Sequence, residues 1–127
     1  LKNCDAAISD LSTTSAFTSS EMAASQFFST KSVKGISSDF DFATNPSSSI
    51  FMNYYNYPEG KIETLDDSLY NGSFKEDGYI KIIRYNILKH PFRLEAGTYK
   101  LGYDPNVVLS DSGFNRIYDS QTVTAYL

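Results

Sequence analysis

The chain has 127 residues, of which 41% are hydrophobic and 20% charged, and its formal net charge is −4. This size and composition predict one folded domain spanning residues 1–127 and exclude a largely disordered chain. The acidic balance argues against a protein that binds nucleic acid through its charge. No apolar stretch approaches the roughly 20 residues that a membrane-spanning helix requires, so we predict no membrane span.

Single copies of cysteine and histidine limit the chemistry that the chain can perform. Cys4 alone can form neither an internal disulfide nor a zinc site, and we interpret it as an unpaired thiol, with an intermolecular disulfide as the alternative. Triads of the Ser-His-Asp or Cys-His type would need His90, which precedes Pro91 in a charged turn. We interpret His90 as a solvated side chain and predict neither an enzyme nor a bound cofactor.

The composition changes near residue 38. Residues 1–38 contain fourteen Ser or Thr, whereas residues 39–127 contain all ten Tyr and all four Pro. We therefore predict a less regular N-terminal segment over 1–38, followed by a regular β domain over 39–127. A disordered linker is the alternative for the first segment, but its scattered apolar residues favour order.

One helix is predicted within the N-terminal segment. Thr18 and Glu21 have the spacing of a capping box, and Phe17 and Met22 occupy the positions of a hydrophobic staple. The following alanines and Gln favour helix. We expect a short helix over 19–31, and the alternative is a strand over 26–30.

The rest of the chain has β-prone segments separated by turns every 8 to 12 residues, which is typical of a sandwich or barrel. The segment 79–88 is the strongest: it follows the hairpin-type turn Asp77-Gly78, and both its faces are largely apolar, as in a central strand. We predict a mainly β fold, an antiparallel β-sandwich or jelly-roll-like domain with one short helix in the N-terminal third. The predicted strands are 38–42, 49–57, 61–65, 69–74, 79–88, 92–94, 98–103, 107–109 and 122–127.

Residues 92–101, FRLEAGTYKL, contain the pattern L-x-A-G-x-Y-x-L. This pattern resembles a strand–turn–strand unit of many secreted and cell-surface β-sandwich domains. In those domains the glycine makes the bend, and the tyrosine and leucine enter the core. The resemblance implies a sandwich and names no single family.

The most unusual stretch interleaves tyrosine and asparagine: Asn53, Tyr54, Tyr55, Asn56 and Tyr57. Such side chains are rigid and amphipathic and suit recognition surfaces, and tyrosine also stacks on sugar rings. On a strand, Tyr55 and Tyr57 would share an exposed face while Tyr54 points to the core. We therefore predict a binding site at Tyr55, Tyr57, Asn53 and Asn56. In the alternative, all three tyrosines are packed or lie along a sheet edge.

Two further motifs have simple interpretations. Asp39 and Asp41 would point to the same side of a strand, where a carboxylate pair can bind calcium or serve a glycosidase. We interpret them as solvated acids and predict no metal site. Asn71-Gly72-Ser73 is a glycosylation sequon, and its Asn-Gly step is also an ordinary turn.

These observations favour a non-enzymatic structural or adhesive domain that acts through protein–protein contacts, either with a partner protein or by self-association as a subunit of a larger assembly. The N-terminal segment is the candidate assembly arm. The alternative is a carbohydrate-binding, lectin-like module that uses Tyr55 and Tyr57 to bind a glycan, and a hydrolase ranks last. We expect the protein to be extracellular or exposed on a cell or particle surface.

Overall fold

The computed structural model describes residues 17–31, 34–94 and 97–127. Predictions for Cys4 and for the rest of residues 1–16 and 32–33 lie outside these residues. The described part contains two sheets and several short helices. In chain order the elements are α1 (Ser19–Lys31), β1 (Ile36–Ser38), α2 (Phe40–Ala43), α3 (Ile50–Asn53), a 3₁₀ turn (Glu59–Lys61), β2 (Ile62–Thr64), α4 (Asp66–Asn71), β3 (Ile80–Arg84), α5 (Asn86–Lys89), β4 (Phe92–Leu94), β5 (Gly97–Tyr99), α6 (Pro105–Asp111), β6 (Arg116–Asp119) and β7 (Val123–Tyr126).

The main sheet has five strands in the order β2-β1-β3-β7-β6, and β4 and β5 form a separate antiparallel pair. β1 lies between β2 and β3 and is parallel to both, with Ser37 opposite Glu63 on one side and Lys81 on the other. β7 is antiparallel to β3 and to β6. The parallel strands require crossover connections, and the chain provides them as short helices and loops.

The two faces of this sheet bury separate apolar clusters. Side chains alternate along a strand, so Ile82 and Ile83 of β3 point to opposite faces. The Ile82 cluster also contains Phe28 of α1, Phe42 of α2 and Phe51 of α3. The Ile83 cluster instead contains Leu69 of α4, Ile87 of α5, Phe92 of β4 and Leu109 of α6. Helices therefore cover both faces.

The prediction of an antiparallel sandwich or jelly roll is wrong, because three strands of the sheet are parallel and helices pack on both faces. Five predicted strands are wholly or partly helical: α2 replaces part of 38–42, α3 part of 49–57, α4 part of 69–74 and α5 part of 79–88, and α6 covers 107–109. The turn at Asp77-Gly78 also precedes β3 without forming a hairpin. β2 and β3 do not pair with each other, and β1 separates them.

Local capping explains why aromatic and β-branched segments became helical. The Ser49 hydroxyl accepts a hydrogen bond from the Met52 amide at 3.3 Å, which caps α3. The Asp104 carboxylate accepts from the Asn106 amide at 2.9 Å, and Pro105 stands at the first helical position of α6. Gly72, with φ 73°, ends α4 in the left-handed region.

Other predictions are confirmed. α1 has the predicted bounds, and its capping box is formed: the Glu21 amide donates to the Thr18 hydroxyl at 3.1 Å, and the Thr18 amide donates to the Glu21 carboxylate at 2.9 Å. β3 is a central strand buried on both faces. Strands also occur within the predicted ranges 61–65, 92–94 and 122–127. β6, at the sheet edge, was not predicted.

The described part of the predicted N-terminal segment belongs to the packed structure. Ala24, Phe28 and Ile36 are buried in one apolar cluster, and β1 ends at Ser38 in the interior of the sheet. In the described part of the chain, no helix has the length and apolar character that crossing a bilayer would require.

Candidate functional site

Two charged residues of the central strand are buried, one on each face of the sheet. Lys81 is 2% exposed and Arg84 is 5% exposed, and the three apolar residues of β3 surround them. Charged side chains are rarely this buried unless they are paired. Each of the two has its own carboxylate partners, so β3 organises two distinct charged clusters.

Arg84 lies at the carboxyl end of β3, and Asp39 directly follows β1. The guanidinium donates to both oxygens of the Asp39 carboxylate, with Nε 2.9 Å from Oδ1. A second carboxylate, Glu21 of α1, lies 3.4 Å from Arg84 Nη1. The rings of Phe17 and Phe42 lie 5.1 and 5.2 Å from the guanidinium carbon. We call Glu21, Asp39 and Arg84 the buried triad.

The buried triad occupies the place where open α/β sheets usually bind ligands. The chain leaves β1 for β2 on one side and returns to β3 on the other, and crevices form at the carboxyl ends of such strands. Here α1 and the ring of Phe17 cover that crevice, and Asp39 and Arg84 satisfy each other inside it. The triad therefore fastens α1 to the sheet and leaves little room for a ligand.

The environment of Glu21 favours its neutral form. Burial raises the pKa of this carboxyl, and the neighbouring Asp39 adds to the rise. The charge of Arg84 and the hydrogen bond from the Thr18 amide lower it by less, so the pKa is raised overall. The bidentate contact of the guanidinium goes to Asp39, whereas Glu21 lies 3.4 Å from a single nitrogen, Nη1.

His90 lies beside the buried triad but outside it. A small pocket of about 150 Å³ is lined by Glu21, His90, Tyr85, Lys89, Thr18, Asn86 and Thr122. His90 itself is exposed at the end of α5. This volume is below the roughly 300 Å³ at which ligand pockets begin, so the pocket is a weak candidate.

Lys81 faces the opposite side of the sheet and is held by the turn before β3. Its ammonium is ion-paired with Asp77 and donates to the Tyr79 carbonyl at 3.0 Å. The same Asp77 oxygen accepts from the Tyr79 amide at 3.0 Å. Burial raises the pKa of Asp77, but the hydrogen bonds from Lys81 and Tyr79 and the charge of Lys81 together lower it below its ordinary value of 3.8. Asp77 is therefore an ionised acceptor.

A cleft of about 560 Å³ opens above this ion pair, and we call it the Lys81 cleft. Its floor is one row across three strands, because Glu63, Ser37 and Lys81 lie side by side in register. The start of α4 forms one wall, and α2 with the loop after it forms another. The complete lining is Ser37, Phe40, Thr44, Pro46, Ile62, Glu63, Thr64, Leu65, Asp67, Ser68, Lys75, Asp77 and Lys81.

A second cleft of about 290 Å³ lies beyond the Asp77-Gly78 turn and also reaches Lys81. The Phe114 ring is part of its lining, with the Lys81 ammonium 5.3 Å from the ring centroid. The two clefts therefore share Lys81, and the segment from Lys75 to Gly78 separates them.

The predicted tyrosine site is arranged differently from the sequence-based expectation. The stretch is α3 and a following turn, not a strand, so the facing of its side chains is reversed. Tyr57 is 8% exposed and its hydroxyl donates to the Lys34 carbonyl at 2.8 Å, whereas Tyr54 is 68% exposed. Tyr55 is half-buried against the core. The prediction of an exposed face shared by Tyr55 and Tyr57 is wrong.

The two asparagines of that prediction remain at the surface. Asn53 is exposed and donates from its side chain to the Pro46 carbonyl at 3.0 Å. Asn56 is exposed in the left-handed region, with φ 52°. Both therefore shape the turn after α3, and binding by them stays a prediction.

The other sequence motifs are also separated in space. Asp39 belongs to the buried triad, whereas Asp41 of α2 accepts from Asn45 at 2.7 Å and lies 3.4 Å from Arg93, so the two acids do not form a pair. Asn71 is exposed at the end of α4. Among the described side chains, no group of three His, Cys, Asp or Glu is placed to hold a metal ion.

Lys81 and Arg84 were not among the site residues predicted from the sequence. The sequence did indicate their burial, because both charged residues lie within the most apolar predicted strand, beside isoleucines. A charge at such a position requires a buried partner. Asp77 stands only four residues before Lys81, whereas Asp39 is 45 residues from Arg84 and could be found only from the fold.

Comparison with protein families, curated proteins and solved structures gives no match for the chain. The Lys81 cleft and the buried triad are therefore the features from which we infer a function.

Proposed function

We propose that the protein is a non-enzymatic binding domain and that the Lys81 cleft is its ligand site. The observation that carries this proposal is the ion pair between the buried Lys81 and the exposed Asp77 in the lining of a cleft of about 560 Å³. This volume falls within the roughly 300–1,000 Å³ of ligand pockets, which combine apolar walls with a few convergent polar groups.

The position of Lys81 supports recognition. A buried ion pair is often no more stabilising than an apolar pair of similar volume, so fold stability alone gives little reason for a lysine in a central strand. The ammonium has three donors. Asp77 and the Tyr79 carbonyl take two of them, and Lys81 lines both clefts.

Other polar groups around the cleft have no competing ion pairs. Glu63 and Asp67 are exposed, and neither forms a salt bridge with a described residue. The same holds for Lys75. Such groups can bind a ligand without breaking internal contacts, which lowers the cost of binding.

The same geometry favours binding over catalysis. Asp77 is ionised and accepts hydrogen bonds from Lys81 and from the Tyr79 amide, so it is a poor general acid. The ion-paired ammonium of Lys81 donates hydrogen bonds but is not a nucleophile while it remains charged. Recognition is therefore the role that these groups support best.

A cleft-filling variant tests the proposal. Ser68→Tyr places a ring at the wall of the cleft, and Ser110→Tyr, on the exposed face of α6, is the matched control. Ligand-observed NMR would screen both variants and the unmodified protein against saccharides, amines, amino acids and inorganic phosphate. We expect at least one probe to bind the unmodified protein and Ser110→Tyr but not Ser68→Tyr. Binding that Ser68→Tyr leaves unchanged, or no binding at all, would overturn the proposal.

Contacts with a second copy of the chain are the other candidate function, and one observation favours them. Phe27 of α1 is 43% exposed, and its ring lies 5.3 Å from that of Tyr118 on the edge strand β6. Exposed apolar patches of this kind occur at protein interfaces. The bulge and the Arg116–Asp119 ion pair on β6 discourage strand pairing, so contact would run through side chains.

Light scattering over a hundredfold range of concentration tests this second candidate. A defined oligomer that Phe27→Ser dissociates would support it, and a monomer at all concentrations would contradict it. That the protein is extracellular or exposed on a cell or particle surface stays a prediction.

A further inference from the structure

We infer that the ligand of the Lys81 cleft is a neutral saccharide, an inference that rests on the proposed function and adds the class of ligand. Three features of the cleft lead to this class: the balance of its charges, the density of its hydroxyl and carboxylate groups, and the aromatic ring at its side.

The charge balance disfavours an anionic ligand. The lining contains the carboxylates of Glu63, Asp67 and Asp77 against the ammonium groups of Lys75 and Lys81. Asp77 already neutralises Lys81. Phosphate and sulfate groups need a surplus of donors or positive charge, which this lining does not offer.

The polar groups match the hydroxyls of a sugar. A carboxylate accepts two hydrogen bonds side by side, as adjacent hydroxyls present them, and the ammonium of Lys81 donates to a hydroxyl or ring oxygen. Thr44 and Ser68 add hydroxyls that make no side-chain hydrogen bond to another described residue. These polar groups stand among apolar lining residues such as Ile62 and Leu65, a mixture that suits a sugar better than a largely apolar lipid.

Phe40 supplies the apolar surface that a sugar ring also requires. It is half-buried, lies at the start of α2 and lines the cleft. Aromatic rings combine a large apolar face with defined geometry, and the C–H face of a pyranose packs on such a ring. Tyr55 and Tyr57 do not line the cleft, so this saccharide site is distinct from the one that the sequence predicted.

Titration with defined probes tests the class of ligand. The probes are the methyl glycosides of glucose, galactose, mannose and N-acetylglucosamine, with spermine as a cation and inorganic phosphate as an anion. The variants are Glu63→Gln and Asp67→Asn, which remove one charge each at exposed positions, and Asp111→Asn at the end of α6 is the matched control. Ser68→Tyr reports whether any binding uses the cleft.

We expect saturable binding of at least one glycoside that Ser68→Tyr abolishes. Loss of one hydrogen bond to a charged group weakens binding about tenfold or more, so Glu63→Gln or Asp67→Asn should show that loss and Asp111→Asn should not. If spermine or phosphate binds, no glycoside binds, and Ser68→Tyr abolishes that binding, the saccharide inference is overturned and the proposed function stands. Absence of any binding that depends on Ser68 would overturn both.

Discussion

Arg84 at the end of β3 donates two hydrogen bonds to the carboxylate of Asp39, the residue that follows β1. This contact joins adjacent parallel strands at their carboxyl ends, and Glu21 extends it to α1. The position where an open parallel sheet would usually receive a ligand is therefore filled by the protein itself. The available cleft lies instead on the opposite face of the sheet, above Lys81.

Replacing Arg84 tests the structural role of the buried triad. Arg84→Met leaves the Asp39 and Glu21 carboxylates buried without their cation, and we expect the free energy of unfolding to fall by about 3–5 kcal/mol. Urea denaturation followed by circular dichroism measures the change. Arg84→Lys keeps the charge but loses the bidentate contact, so its free energy of unfolding should lie between those of Arg84→Met and the unmodified protein.

Arg116→Met is the control for that experiment. Arg116 forms an ion pair with Asp119 at the surface, where such pairs contribute little to stability. The unfolding midpoint of Arg116→Met should stay close to that of the unmodified protein. If Arg84→Met were equally stable, the triad would not hold α1 to the sheet.

Glu21→Gln should remove one component of the pH dependence of stability. The pKa of Glu21 is raised in the folded protein above its ordinary value of 4.5, mainly by burial. Between that value and the higher folded pKa, the folded state binds more protons than the unfolded state, so this group stabilises the fold as the pH falls. Other carboxyls such as Asp77, whose folded pKa is lowered, act in the opposite direction.

The measurement is therefore a difference between two proteins. The free energy of unfolding of the unmodified protein, minus that of Glu21→Gln, should rise as the pH falls toward 4.5 and level off below it. A difference that stays constant from pH 4 to 8, or that falls on acidification, would show that the environment of Glu21 does not favour its neutral form.

Gly35→Ala should destabilise the fold at the residue directly before β1. A Cβ at this position would lie 2.5 Å from Cε2 of Tyr79, so the ring has to move. The Tyr79 hydroxyl donates to the Gly60 carbonyl at 3.4 Å, which resists that movement. We expect a loss of about 1–3 kcal/mol, typical of overpacking.

Gly60→Ala is the matched comparison, because a Cβ there meets no atom within 4 Å. Its unfolding midpoint should change far less than that of Gly35→Ala. Equal effects of the two substitutions would mean that the contact between residue 35 and the Tyr79 ring does not limit stability.

Substitution of Tyr57 should destabilise the fold far more than substitution of Tyr54. Tyr57→Phe removes the hydrogen bond to the Lys34 carbonyl and should cost about 1 kcal/mol, and Tyr57→Ala should cost about 3–5 kcal/mol because the ring is buried. Tyr54→Phe and Tyr54→Ala should leave the denaturation curve nearly unchanged, since Tyr54 is mostly exposed. If the Tyr54 variants instead lost more stability than the Tyr57 variants, Tyr54 would be the buried ring, as the sequence pattern predicted.

Features governed by local sequence were predictable, as α1 illustrates. Its capping box requires only Thr18 and Glu21 three residues apart, and the structure forms both hydrogen bonds. The burial of β3 also followed from its apolar faces. In contrast, α6 had recognisable start residues in Asp104 and Pro105, yet they equally suit a turn, and the valines after them favour a strand.

The topology and the cleft could not be predicted because both depend on contacts distant in sequence. Nothing local to Ile36 indicates that it pairs with both Ile62 and Ile80 in parallel. The Lys81 cleft likewise combines β2, α2 and α4 with a turn before β3. The pattern from Asn53 to Tyr57 predicts the two-residue side-chain period of a strand. The structure forms a helical turn there, which reverses which tyrosine is exposed.

If the Lys81 cleft binds a ligand, amide NMR shift mapping will show which residues the ligand contacts. The titrant is the methyl glycoside that binds most tightly. We predict that the largest shift changes fall on Ser37, Glu63, Ser68 and Lys81, which line the cleft on three strands and α4. Changes confined to Asn53 and Tyr54, or to the Phe27 and Tyr118 patch, with the cleft amides unmoved, would contradict it.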